Sequence, residues 1–102
     1  RKRQKALACA AKCGQPASCR ALIAAGADPN AYLPEGFHAH CTALHSAVSN
    51  GSLETVRVLL ESGADPAIKD TIHDGDALDW ARHMGRTEIQ AVIQEMVKKS
   101  DA

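Results

Sequence analysis

The feature that most constrains this chain is that it repeats itself. Ala21-Leu22-Ile23-Ala24-Ala25-Gly26-Ala27-Asp28-Pro29 returns 37 positions later as Val58-Leu59-Leu60-Glu61-Ser62-Gly63-Ala64-Asp65-Pro66. The same step carries Leu7 to Leu44, Ala10 to Ala47 and Gly14 to Gly51. A second step, of 34, carries Leu44 to Leu78, Ala47 to Ala81, Gly51 to Gly85, Glu54 to Glu88 and Val58 to Val92. The 102 residues therefore hold three copies of a unit of about 33 residues plus insertions, spanning approximately 1–30, 31–67 and 68–102 of one domain. A unit this short cannot bury its own apolar stripe, so the copies must stack and share a core.

Each copy has the same local grammar. A short helix is expected at about 5–13, 43–50 and 77–84, and a Gly at 14, 51 or 85 ends it through a positive φ. A second helix is expected at about 17–25, 53–61 and 87–98. In the middle copy Leu53, Val56, Leu59 and Leu60 form one apolar stripe at helical spacing. Gly26 and Gly63 then close the second helix, and the Pro of each Ala-Asp-Pro blocks its continuation. Val56 and Leu60 become Gln90 and Gln94 in the third copy, which predicts that this copy is a cap with a polar outer face. The basic start, Lys2, Arg3 and Lys5, opposes the helix dipole at a small cost.

Thr42-Ala43-Leu44-His45-Ser46-Ala47, the Gly51-Ser52-Leu53-Glu54 junction and the Val58–Pro66 stretch together resemble an ankyrin repeat. The third copy departs from that pattern, with Asp76-Ala77-Leu78-Asp79 where Thr-Pro-Leu-His is expected, and the first keeps only the helix pair. The style around Leu78-Asp79-Trp80-Ala81 is similar to that of bacterial members. The resemblance covers essentially the whole chain. It implies an all-α ankyrin-repeat α-solenoid of three stacked helix-turn-helix units with β-hairpin-like fingers, acting as a module that binds another protein.

Composition removes competing classes. Twelve Lys+Arg balance twelve Asp+Glu, so no basic excess drives phosphate binding, and no nucleic-acid partner is expected. The longest apolar run, Ala6 to Ala11, is far below the roughly 20 residues that cross a bilayer, so no membrane partner is expected. Three aromatics cannot fill a core, whereas abundant Ala suits thin, closely packed helices. The Lys- and Arg-rich start followed by a short Ala/Cys stretch does not make a signal peptide, and the chain reads as a piece of something longer. Four cysteines, at 9, 13, 19 and 41, are too few for a disulfide scaffold and point to a reducing, cytoplasmic setting.

Several groupings invite a chemical reading. Thr42 and His45 have the spacing of a capping box, and Asp76 and Asp79 match them in the third copy, so both pairs are expected to be structural. His38, His40 and Cys41, with Cys9 and Cys13 on one face of the first helix, suggest an alternative function as a zinc- or redox-responsive domain. Their spacing matches no standard structural zinc site, so neither a metal nor a cofactor is expected. Aligning the copies sets Cys19 over Val56, an apolar position, and Cys13 over Asn50, a surface one. No nucleophile–base pair, phosphate loop or zinc-protease motif occurs, so the chain is not expected to be an enzyme.

In arrays of the kind it resembles, finger tips and first helices form a concave recognition surface. By alignment that surface comprises Lys12 and Cys13, then His38, Ala39, Cys41, Ser49 and Asn50, then Ile72, His73, His83 and Met84. Tyr32 and Phe37 belong to the long first finger, and Trp80, the only Trp, is either packing or a contact anchor. His38, His40, His73 and His83 would make such a surface pH-sensitive between about 5 and 7. The expected protein is a monomer.

Overall fold

The computed structural model describes residues 2–33 and 40–101. They form six helices: α1 Lys2–Lys12, α2 Pro16–Ala24, α3 Ala43–Asn50, α4 Leu53–Glu61, α5 Ala77–His83 and α6 Thr87–Asp101. These are the three expected pairs. Pro16 opens α2, where its missing N–H costs nothing. Ser52 accepts from the Thr55 N–H at the start of α4, and Asp76 accepts from the Asp79 N–H at the start of α5. Two boundaries differ from expectation. The basic segment is helical from Lys2, and α6 runs on to Asp101.

The pairs stack in two layers. α1 packs on α3 and α3 on α5, forming one layer of first helices; α2 packs on α4 and α4 on α6, forming the other. First helices meet through small side chains, since Ala10, Ala11, Ala43, Ala47, Ala77 and Ala81 are all buried. Leu7, Leu44, Val48, Val56, Leu59 and Ile93 fill the space between the layers, and Cys19 is buried among them as its alignment predicts. Gln94 is exposed on α6 while Gln90 is half-buried, so of the two polar replacements only Gln94 stands fully in solvent.

Side-chain amides straddle backbone both within the first copy and between the first and second. The Gln4 amide bonds both the N–H and the C=O of Asp28. One copy on, the Asn30 amide donates to the Gly63 carbonyl at 3.1 Å and accepts from the Asp65 N–H at 2.6 Å. These bonds satisfy backbone groups where the second helices end, groups that a stacked array would otherwise leave unpaired.

Gly51 shows why the helix-closing position cannot carry a side chain. Its φ is 79°, and a Cβ there would lie 2.9 Å from Arg86 Cζ. Arg86 crosses this glycine to donate to the Ser49 carbonyl at 3.0 Å, tying the third copy to the second. Gly51→Ala is expected to cost about 1–2 kcal/mol, mostly backbone strain because the Arg86 tip can move. A lower urea midpoint with unchanged m-value would register it.

The fingers are less regular than the resemblance implies. Among the described residues the one strand-like element is an isolated antiparallel bridge between Tyr32 and Thr42, with the Leu33 N–H donating to the Cys41 carbonyl at 2.9 Å. The bridge closes the base of the long first finger. The second finger, between Pro66 and Asp76, is a series of turns.

Candidate interaction groove on the inner face

The groove begins with a turn that wraps a carboxylate. Asp70 is 2% exposed. Its Oδ2 accepts from the N–H groups of Ile72 at 3.2 Å and His73 at 2.7 Å. Its Oδ1 accepts from the Gly75 N–H at 2.8 Å and from the Trp80 indole N–H at 3.2 Å. Burial would push this carboxyl up, but four donors more than offset it and hold the group well below the usual carboxylate range. One charged side chain thus shapes the second finger and anchors Trp80.

His45 joins the finger to the first-helix layer. It is 1% exposed. Its Nδ1 accepts from the Thr42 N–H at 3.1 Å, and its Nε2 lies 3.0 Å from the Gly75 carbonyl. A backbone N–H can only donate and a carbonyl only accept, so the ring is neutral with its proton on Nε2. Thr42 and His45 form the expected capping box. The Trp80 ring stands edge-on to His45 with centroids 4.8 Å apart, a favourable aromatic arrangement.

Burial lowers the His45 pKa, against the opposing pull of the Gly75 carbonyl bond and of the Asp70 and Asp76 charges; His40 lowers it further. The sign follows from linkage. Below about pH 6.5 the unfolded chain takes up the proton while the folded one resists it, so stability is lost as pH falls from there to the lowered folded value. Thermal melts are expected to be level from pH 8 to 7 and to decline on further acidification. A His45→Gln variant should melt lower throughout and lack that part of the decline. An identical decline in both proteins would remove His45 from the account.

Two hollows lie beside this network. One, of about 500 Å³, is lined by Lys12, His40, Cys41, Ser46, Ser49, Asn50, Trp80 and Met84. The other, of about 590 Å³, is lined by His40, His73, Asp74, Gly75, Asp79, Trp80, His83 and Met84. They share His40, Trp80 and Met84. Trp80 is half-buried, so it serves both of the roles the sequence leaves open, packing against His45 and bordering the open surface.

Of the surface residues expected from sequence, Lys12, Cys41, Ser49, Asn50, Trp80 and Met84 border the first hollow, and His73 and His83 join Trp80 and Met84 at the second. Cys13 is exposed but borders neither. Ile72, 65% exposed at the second finger, also stands outside them. Tyr32 donates its hydroxyl to the Lys69 carbonyl at 2.7 Å, so it ties the first finger to the second. Phe37, His38 and Ala39 lie outside the described residues. Cys41 requires a correction to its exposure: it is 2% exposed and packs in the core at the floor of the first hollow, because the 32–42 bridge draws the chain back onto the body. Burial pushes its thiol up to about 11, far from the thiolate a metal or an oxidant needs. Among the described residues no three His, Cys, Asp or Glu side chains gather as metal ligands, and no helix is long and apolar enough to cross a membrane.

Asp70 and the Asp74–Asp79 side of the groove are absent from the sequence-derived set. A signal for Asp70 does exist. An Asp leading into the turn-rich Thr71-Ile72-His73-Asp74-Gly75 stretch is the residue type that accepts bonds from backbone two or three positions on.

Stacked helix pairs, glycine-closed first helices and fingers set across them define a helical repeat array. The family model for ankyrin repeats (3 copies) matches residues 1–70. The chain belongs to the ankyrin repeat family. The third unit lies largely beyond the matched stretch, and its helix pair, α5 and α6, continues both layers. A curated relative, the probable E3 ubiquitin-protein ligase XBOS34 of Oryza sativa subsp. japonica, is 42% identical over 74 residues. That match covers 72% of this chain and 14% of the relative, so the chain spans a small part of the relative's length. Ankyrin repeats generally serve as protein–protein interaction modules.

Proposed function

We propose that this chain binds another protein through its inner face, across the two hollows that meet at Trp80. It acts as a rigid, monomeric, cytoplasmic module with no catalytic activity of its own. The observation that carries this reading is the setting of Trp80. A large aromatic ring is fixed by His45 on one side and Asp70 on the other, and still borders open space together with first-helix and finger residues from successive copies. Anchors of this type dominate interface energetics, and a side chain already held in place loses little entropy on binding.

Paired surface variants test the reading. Ser49→Glu with Met84→Glu adds charge to the inner face, and Arg57→Glu with Glu95→Lys alters the outer helices. Partners captured by the unaltered chain should be retained by the outer variant and reduced more than tenfold by the inner one. Equal retention by both variants would mean that the inner face is not the binding surface.

A further inference from the structure

The two ends of the groove differ in charge. The hollow toward α1 has Lys12 and His40 at its edge and no carboxylate. The hollow toward α5 has two carboxylates, Asp74 and Asp79, beside Trp80 and Met84; the imidazoles of His40, His73 and His83 also border it, and no Lys or Arg does. The nearby cations do not fill that role. Arg86 is turned to the Ser49 carbonyl. Lys69 reaches Asp74 only at 3.9 Å, with both side chains more than half exposed, a pairing worth little in water. Asp79 accepts from the Asp76 N–H, which orients its carboxylate without neutralising it.

Resting on the interaction reading above, we propose that the α5 hollow receives a cationic side chain, arginine ahead of lysine, from an extended segment of the partner protein. A guanidinium offers planar donors for two carboxylates and a flat face for an aromatic ring, and an ammonium offers only a point charge. Met84 and Trp80 supply the apolar floor for the aliphatic stem, while Asp74 and Asp79 receive the charged head. The same polarity fixes the direction of the segment. Its arginine lies toward α5, an apolar residue lies over Trp80 and Met84, and a neutral or acidic residue lies toward Lys12.

Short peptides test this without an identified partner. The probe is Ac-Glu-Gly-Leu-Gly-Arg-Gly-NH2. Its controls carry citrulline, which is isosteric and uncharged, or lysine in place of the arginine. Trp80 is the only Trp, so its emission reports on the groove directly. The arginine peptide should give a saturable change and bind about three- to tenfold more tightly than the citrulline peptide, with lysine between them. The preference should fall to less than half in Asp74→Asn, which leaves Asp79 as the one carboxylate and is expected to fold normally because Asn tolerates the left-handed backbone found there, φ 54°. Equal binding of the arginine and citrulline peptides would overturn the cation site and leave the inner-face reading standing. Trp80 emission unmoved by any of the peptides would also overturn the cation site, whereas failure of the inner-face reading is decided separately by the Glu-substituted surface variants.

Discussion

Asp70→Ala is expected to destabilise the fold by about 3 kcal/mol, a large share of the roughly 5–10 kcal/mol that holds a domain of this size. The substitution leaves four donors without their acceptor. The Ile72 and His73 N–H groups belong to exposed residues and can turn to water. The Gly75 N–H and the Trp80 indole sit deeper, and each costs about 1–3 kcal/mol if left unpaired. Gly75 also carries the carbonyl that His45 bonds, so a loosened finger weakens the joint with α3. Asp70→Asn keeps one acceptor oxygen but loses the charge, and should cost about half as much. Urea unfolding followed by Trp80 emission measures both variants, and the native emission itself should shift in Asp70→Ala. A loss below about 1 kcal/mol for Asp70→Ala would mean that the carboxylate does not organise the finger.

The second large effect concerns the shared core. Leu22, Leu59 and Ile93 occupy one position in successive copies. Leu59 and Ile93 are both 0% exposed, while Leu22 is half-buried. If stacking supplies the hydrophobic interior, truncation should cost most where neighbours enclose the side chain. Leu59→Ala should therefore lose about 3–4 kcal/mol, and Leu22→Ala about half that. Two-state unfolding curves give both numbers. Similar losses at the two positions would indicate that each unit holds its own core and that stacking contributes little.

The helix pairs were legible because glycine and proline punctuate the chain at a fixed interval. Gly14, Gly51 and Gly85 all carry the positive φ expected of them, at 66°, 79° and 70°. The assignment of Cys19 to the core and Cys13 to the surface followed from copying the middle unit onto the first, since stacked units place equivalent positions in equivalent surroundings. Where copies differ, that reasoning fails. Cys41 belongs to the end of a longer first finger, and alignment with shorter fingers put it among the exposed recognition positions; a bridge formed across the loop buries it instead. Asp70, Gln4 and Asn30 act through bonds to backbone that exists only after the fold has formed. Hydrophobic periodicity carries no trace of them, and turn chemistry hints at Asp70 alone.

The groove was half legible. The first-helix positions Lys12, Ser49, Asn50, His83 and Met84 were found by alignment, because the inward face of a first helix recurs from copy to copy. The acidic side was not, because Asp79 read as a cap and Asp74 stood in a short acidic stretch with no recognisable pattern. Only the finger geometry brings them to one hollow with Trp80.

The central claim is that the stacked repeats leave their inner face free to hold another protein. The most direct measurement is amide and indole chemical-shift mapping of the isotope-labelled chain against a captured partner. The account predicts that the Trp80 indole and the amides of Lys12, Ser49, Asn50, His73 and Met84 shift together, while Arg57, Glu61 and Glu95 on the outer helices stay in place. Shifts centred on the outer helices, with the Trp80 indole unmoved, would contradict it.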